Sequence, residues 1–188
     1  MTTVEGTNDY SIVSKLSSVN MGYFEDEFLE EFVEKPKIRA PLINWGYYIR
    51  KKSLELTLER AVAYYTAKDR PFQILSIGAG FDTTYFTISR TFRPAKMTFF
   101  EIDLPSNVNR KVQLIRKSEK CGFATDLVSK FLVSASIDHN VLISDKYKLF
   151  SCDLSDIDGL KRTLTKQRFD FSLPTLILSE CVITYMKV

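Results

Sequence analysis

Phe72-Gln73-Ile74-Leu75-Ser76-Ile77 runs into Gly78-Ala79-Gly80 and then into Phe81-Asp82-Thr83-Thr84-Tyr85-Phe86. A second apolar run, Met97-Thr98-Phe99-Phe100, ends in Glu101-Ile102-Asp103. A strand that enters a glycine turn and a helix, followed by an acid at the end of the next strand, describes a nucleoside site. Glycines allow close backbone approach, the helix N-terminus offers N–H groups, and the trailing acid accepts from ribose hydroxyls. The turn by itself is equally compatible with a plain tight connection between strand and helix.

What the turn lacks narrows the ligand. A dinucleotide fingerprint asks for Gly or Ala three residues after the second glycine, and Thr83 stands there. The Gly-Lys-Ser/Thr ending of a nucleoside-triphosphate loop is missing as well. S-adenosylmethionine, a nucleoside without phosphates whose amino-acid end needs a positive group, is the best remaining candidate.

Outward from this turn, the chain alternates strands and helices. Tyr147–Cys152 reads as a third strand ending at Asp153-Leu154, and Pro174–Ser179 as a fourth ending at Glu180-Cys181. Helical spacing marks Phe24–Val33, Gly46 to about Ala67, the segment after Pro105 with Val108, Val112 and Ile115, and the segment with Ile157, Leu160 and Leu164. The stretch from Cys121 to Asp145 has no clear period and reads as irregular or weakly helical. The expected fold is α/β, Rossmann-like: a parallel sheet with flanking helices in the strand order 3-2-1-4. Residues 1–66 form a helical segment that covers cofactor and substrate, and 67–188 form the core. Ligands of such sheets bind beyond the carboxyl ends of the strands, where Gly78, Asp103, Asp153 and Glu180 fall. An Asp after a strand is often only a helix cap, an objection that bears most on Asp153. Glu180 resists it, because a carboxylate after a wholly apolar strand is costly to bury unpartnered.

Composition excludes several classes. The 188 residues carry 26 Lys and Arg against 23 Asp and Glu, and the net charge of +3 is too small and dispersed to argue for nucleic acid. Arg110, Lys111, Arg116, Lys117 and Lys120 read as the wet face of a helix. Cys121, Cys152 and Cys181 have no metal-binding spacing, and with the lone His139 they leave neither a zinc site nor a histidine-based triad. No apolar run reaches membrane length and no signal-peptide core is visible, so the expectation is a cytoplasmic protein without membrane contact.

Five collinear segments resemble the leucine carboxyl methyltransferase family. They are Lys15 to Tyr23, Arg39 to Arg50, Ile77 to Thr84, Phe100 to Pro105 and Ser179 to Met186, and together they span nearly the whole chain. The resemblance implies S-adenosylmethionine as cofactor and the C-terminal leucine carboxylate of the protein phosphatase 2A catalytic subunit as substrate. It also implies that Lys15 and Arg50 meet the cofactor carboxylate, that Gly78 lies against the cofactor, and that Asp103 holds the ribose. Asp153 and Leu154 are implied around the adenine and Glu180 near the amino group or reacting end. Without the resemblance, Lys15 and Arg50 read as solvated charges, and Tyr47 and Tyr48 as core. No catalytic residue is expected. A C-terminal carboxyl of pKa about 3.3–3.7 is ionised near neutrality and attacks the methyl group without a base, so catalysis rests on alignment and desolvation. Because family members continue past the fourth strand, the fold is expected to be truncated there. The alternatives are a non-catalytic remnant that binds cofactor or a partner, a carboxyl methyltransferase acting on a wybutosine precursor in transfer RNA, and a small-molecule O-methyltransferase.

Overall fold

The computed structural model describes residues 6–92, 96–124 and 141–186. Its elements run α1 (Gly6–Asn20), a 3₁₀ turn (Leu29–Phe32), α2 (Pro41–Ala67), β1 (Phe72–Ile77), α3 (Thr84–Thr91), β2 (Met97–Asp103), α4 (Pro105–Lys117), α5 (Glu119–Ala124), β3 (Val141–Ile143), β4 (Tyr147–Ser151), α6 (Ile157–Lys166) and β5 (Thr175–Ser179). The sheet order is β3-β4-β2-β1-β5. The β4-β2-β1-β5 run is parallel throughout and is the expected 3-2-1-4 order. The unforeseen β3 adds an antiparallel edge, Val141 opposite Phe150.

Strand alternation sends two sets of side chains to two faces. Phe72, Ile74, Met97, Phe99, Tyr147, Leu149 and Leu178 join α1 to α5 in the larger core. Leu75, Phe100, Ile102 and Phe150 meet α6 through Leu164 on the other face. That second face is thinly covered toward β5, where Ile177 is 61% exposed. Central strands buried on both faces explain why β1 and β2 read as nearly continuous apolar runs.

Three helices close by one device, in which a left-handed residue after the last turn lets two N–H groups satisfy the helix's final carbonyls. Asp69 (φ 50°) ends α2, Arg168 (φ 60°) ends α6 and Gly22 (φ 77°) ends α1. The matching bonds are Arg70 N–H to Tyr65 O, Phe169 N–H to Leu164 O and Tyr23 N–H to Ser18 O. Only the third is announced by a glycine.

Several sequence expectations are corrected. The helix expected over Phe24–Val33 is a single 3₁₀ turn. Asp26 accepts from the Phe28 N–H two residues on, which bends the backbone out of helix, and Phe28, Leu29 and Phe32 are buried against the core. α2 begins at Pro41 rather than Gly46, because proline suits a first helical position. The expected polar start contains α1, whose Ile12 and Leu16 are buried and whose Ser14 and Ser18 hydroxyls are absorbed by helix carbonyls. Within Cys121–Asp145, α5 and β3 are ordered elements, and residues 125–140 lie outside the described residues. Lys111 is not on a wet face: it is 0% exposed.

The aromatic seam under α3 is a point of dependence. Phe86, wholly buried, packs on Phe28 at 5.4 Å, Phe32 at 6.0 Å and Tyr147 at 5.8 Å between ring centroids. Phe86→Ala should destabilise the chain by about 3–5 kcal/mol, read from urea unfolding midpoints. A loss below about 1 kcal/mol would show that the seam repacks.

Candidate cofactor site

A cavity of about 770 Å³ opens beyond the carboxyl ends of β1, β2, β4 and β5, and α1 and α2 wall it. β1 pairs with β2 on one side and with β5 on the other, so the chain order reverses at β1. Crevices form where order reverses, since the two following connections leave to opposite sides. All seven residues expected to hold a cofactor, Lys15, Arg50, Gly78, Asp103, Asp153, Leu154 and Glu180, line this cavity.

The glycine turn is built differently from the expectation. Ala79 N–H goes to Ile102 O, Gly80 N–H to Asp103 Oδ2 at 2.6 Å, Phe81 N–H to Asn8 Oδ1 at 2.8 Å, and Asp82 N–H to Ala79 O. Four successive donors are therefore taken by the chain itself, and the turn is no phosphate cradle. The glycines serve backbone conformation and internal packing. Gly78 has φ 60° and Gly80 φ 49°. A Cβ on Gly78 would sit 2.5 Å from a Val182 methyl, and one on Gly80 would collide with the Asn8 amide.

At the end of the cavity lies a balanced quartet of charges. Lys15 Nζ, on α1, is 3.2 Å from Asp82 Oδ1 and 3.0 Å from Glu180 Oε2. Arg50, on α2, brings Nη2 to 2.7 Å from Glu180 Oε1. The latter contact is a close ion pair that raises the Arg50 pKa against its partial burial. Burial alone would lower the Lys15 pKa, yet Asp82 and Glu180 outweigh it and hold the ammonium above the ordinary lysine value. Burial likewise pushes the Asp82 carboxyl up, but Lys15, Lys51 and Lys111 together hold it below the usual carboxylate range. Glu180 is aimed here by the turn after β5, where Cys181 takes φ 56°, a left-handed conformation that costs a non-glycine residue about 1 kcal/mol or more.

The remaining residues frame the rest of the cavity. Asp103 accepts from Gly80 N–H, from Leu104 N–H at 2.7 Å and from the Asn107 amide at 2.8 Å. These three bonds occupy both carboxylate oxygens while Asp103 still lines the cavity. Asp153 is exposed, and its Oδ1 accepts from the Ser155 N–H and hydroxyl, which lowers its pKa. It does not cap α6, because Asp156 does so by accepting from Gly159 N–H. Leu154 is half-buried against the smaller core cluster.

Sequence reasoning missed three residues. Asp82, inside the quoted turn, is the counter-ion of Lys15, and Asn8 closes the turn from α1. Tyr47, expected in the core, lines the cavity with its ring 4.9 Å from the Arg50 guanidinium. The Ile12, Leu16 and Val19 spacing would have revealed α1 and with it Asn8; nothing local marks Asp82. Among the described residues there is no cluster of metal-ligand type, and no helix is long and apolar enough to cross a membrane.

The depressed Asp82 pKa carries a signed prediction. In the unfolded chain an Asp protonates near pH 3.9, whereas in the fold it resists protonation, so the stability it contributes is full above that pH and is lost as pH falls further. Urea midpoints should decline below about pH 4, and Asp82→Asn should flatten that decline. An unchanged acid slope in the variant would assign the acid sensitivity to other carboxylates.

The family model described as leucine carboxyl methyltransferase matches residues 10–188. The chain is 36% identical over 185 residues to a leucine carboxyl methyltransferase 1 homolog of Arabidopsis thaliana, covering 97% of this chain and 53% of that protein. It is 32% identical to leucine carboxyl methyltransferase 1 of Rattus norvegicus, covering 97% and 54%. It is also 32% identical over 187 residues to tRNA wybutosine-synthesizing protein 4 of Homo sapiens, covering 98% of this chain and 27% of that protein. The chain thus spans about half the length of the leucine carboxyl methyltransferases it matches. With a family match over nearly its whole length, on a parallel sheet whose strand ends gather the expected residues, the chain belongs to the leucine carboxyl methyltransferase family.

Proposed function

We propose that the cavity binds S-adenosylmethionine and that the methyl acceptor is a carboxylate, the C-terminal leucine carboxylate of the protein phosphatase 2A catalytic subunit. The observation that carries the cofactor reading is the charge quartet. Lys15 and Arg50 against Asp82 and Glu180 sum to zero, so a ligand ending in an amino-acid zwitterion enters without leaving a net charge in a half-buried site. Its carboxylate suits the Arg50 guanidinium, and its ammonium suits the Glu180 carboxylate, which lies between Arg50 and Lys15. Lys15 keeps Asp82 as partner throughout.

The fit extends along the cavity. The Asp103 carboxylate at the cavity wall suits a ribose hydroxyl, and Leu154 with Ile77 offers apolar wall for a base. A glycine turn whose N–H groups are already committed disfavours a ligand with phosphates, which supports a nucleoside without them. When bound, S-adenosylmethionine supplies an electrophilic methyl group on a sulfonium sulfur. The chain's part is to fix the two charged ends of the amino-acid moiety, to orient the nucleoside and to keep water away. An acceptor carboxylate needs no base at neutral pH, which accords with a cavity whose described carboxylates are engaged as ion-pair or hydrogen-bond partners.

The 32% identity to the wybutosine-synthesizing protein, equal to that with the rat leucine carboxyl methyltransferase and below the 36% with the Arabidopsis one, supports a second acceptor, a carboxyl group on a transfer-RNA base. Calorimetric titration with S-adenosylmethionine, followed by methyl transfer on the same sample to phosphatase catalytic subunit or to transfer RNA, separates the readings. Transfer to the phosphatase is expected; transfer only to RNA supports the second acceptor, and binding without transfer supports a non-catalytic cofactor-binding role for these 188 residues. Arg50→Met should weaken cofactor binding by about 1.5–3 kcal/mol, about 10- to 150-fold, with little change in thermal midpoint because Arg50 is about one-third exposed. Unaltered affinity would refute the assignment of Arg50.

A further inference from the structure

Lys111 is a wholly buried lysine that does not line the cavity. It stands on α4 between Val108 and Val112, on the stripe that faces the core. Its Nζ donates to Glu101 Oε2 at 2.5 Å and to the Asp82 backbone carbonyl at 2.7 Å. Glu101 Oε2 also accepts from the Tyr147 hydroxyl at 2.7 Å. Glu101 and Tyr147 are 0% exposed too, and desolvation pushes both of their pKa values up, most strongly that of Tyr147.

Replacing a buried ion pair by apolar side chains of like volume is often neutral or stabilising, so stability alone gives no reason for a charged pair here. An ammonium does one thing at this place that a methionine of similar length does not: it donates to the carbonyl of Asp82. That residue closes the glycine turn through its N–H to Ala79 O, and its carboxylate meets Lys15. The turn is therefore held on one side by Asn8 and Asp103, which take its N–H groups, and on the other by Lys111, which takes its carbonyl. Without that donor the carbonyl loses its ammonium partner, and the turn loses the tie that holds Asp82 against Lys15.

We propose that Lys111 is a positioning residue of the cofactor site: it ties the glycine turn to the Glu101 and Tyr147 side chains in the core and so fixes the counter-ion of Lys15. The proposal rests on the reading of the cavity as an S-adenosylmethionine site. Its reach is indirect, through Asp82 to Lys15 and from Lys15 to Glu180.

The test separates charge balance in the core from the tie to the turn. Glu101→Gln keeps an acceptor for Lys111 and leaves Lys111 able to donate to Asp82, so it should lower the thermal midpoint while weakening S-adenosylhomocysteine binding clearly less than the double variant does. The double variant Glu101→Gln with Lys111→Met removes the stranded charge, and should recover thermal stability relative to Glu101→Gln alone. It should nonetheless bind S-adenosylhomocysteine about tenfold more weakly, about 1.4 kcal/mol, and exchange its Gly80, Phe81 and Asp82 amide hydrogens faster. A double variant that binds as tightly as the natural chain overturns the proposal, and so does one that no longer folds, since the ammonium would then serve the fold as a whole. If the natural chain binds no S-adenosylhomocysteine, the cofactor reading fails separately, and amide exchange at residues 80–82 still decides whether Lys111 holds the turn.

Discussion

Three ammonium groups, from Lys15, Lys51 and Lys111, act on the single carboxylate of Asp82, and each also answers to a second acid. Lys15 reaches Glu180, Lys51 lies 3.4 Å from Asp26, and Lys111 is bonded to Glu101. With Arg50 on Glu180, four cations meet four carboxylates in and beneath the cavity. Removing one member of such a set strands its partner in a medium that solvates it poorly, so the members constrain one another more than any of them stabilises the fold. The set joins α1, α2, the turns after β1 and β5, β2 and α4. These elements have no other common meeting point in sequence, and the network makes their relative placement a single electrostatic condition.

Around that condition the glycine turn acts as a joint of the chain. Its N–H groups are spoken for by Ile102, Asp103, Asn8 and Ala79, its carbonyl at Asp82 by Lys111, and its glycines make room for Val182 and Asn8. Asp103 both holds the turn and lines the cavity. The N-terminal helices are accordingly part of the site: α1 delivers Asn8 and Lys15, and α2 delivers Tyr47 and Arg50.

Legibility of the fold followed burial. Strands β1, β2 and β4 were readable because parallel strands covered on both faces become apolar runs, β5 because its run stays apolar although one face is thinly covered, and their order followed from the alternation with helices. β3 is three residues long, too short for a period to show. The Phe24–Val33 segment has helical spacing but is bent by Asp26, whose side chain bonds Phe28 N–H and, 57 residues away, the Thr83 hydroxyl. Lys111 shares the stripe of Val108, Val112 and Ile115, so its spacing did predict burial. The chemical type of the residue argued against it, and a partner on another element was what reconciled the two. The end of α2 at Asp69 and of α6 at Arg168 left no glycine to read, because non-glycine residues take the left-handed position when two closing hydrogen bonds repay it.

From the sequence alone came the class of fold, the strand-end positions of Gly78, Asp103, Asp153 and Glu180, and a turn that lacks the dinucleotide and triphosphate signatures. Each of these is a local matter of period, turn chemistry and spacing along a strand. Only the tertiary structure decided that Lys15 and Arg50 converge on Glu180, that Asp82 and not solvent answers Lys15, and that the turn's donors are closed to a ligand. Those are pairings between elements up to 165 residues apart, and a charge carries no mark in the sequence of which opposite charge it will be buried with.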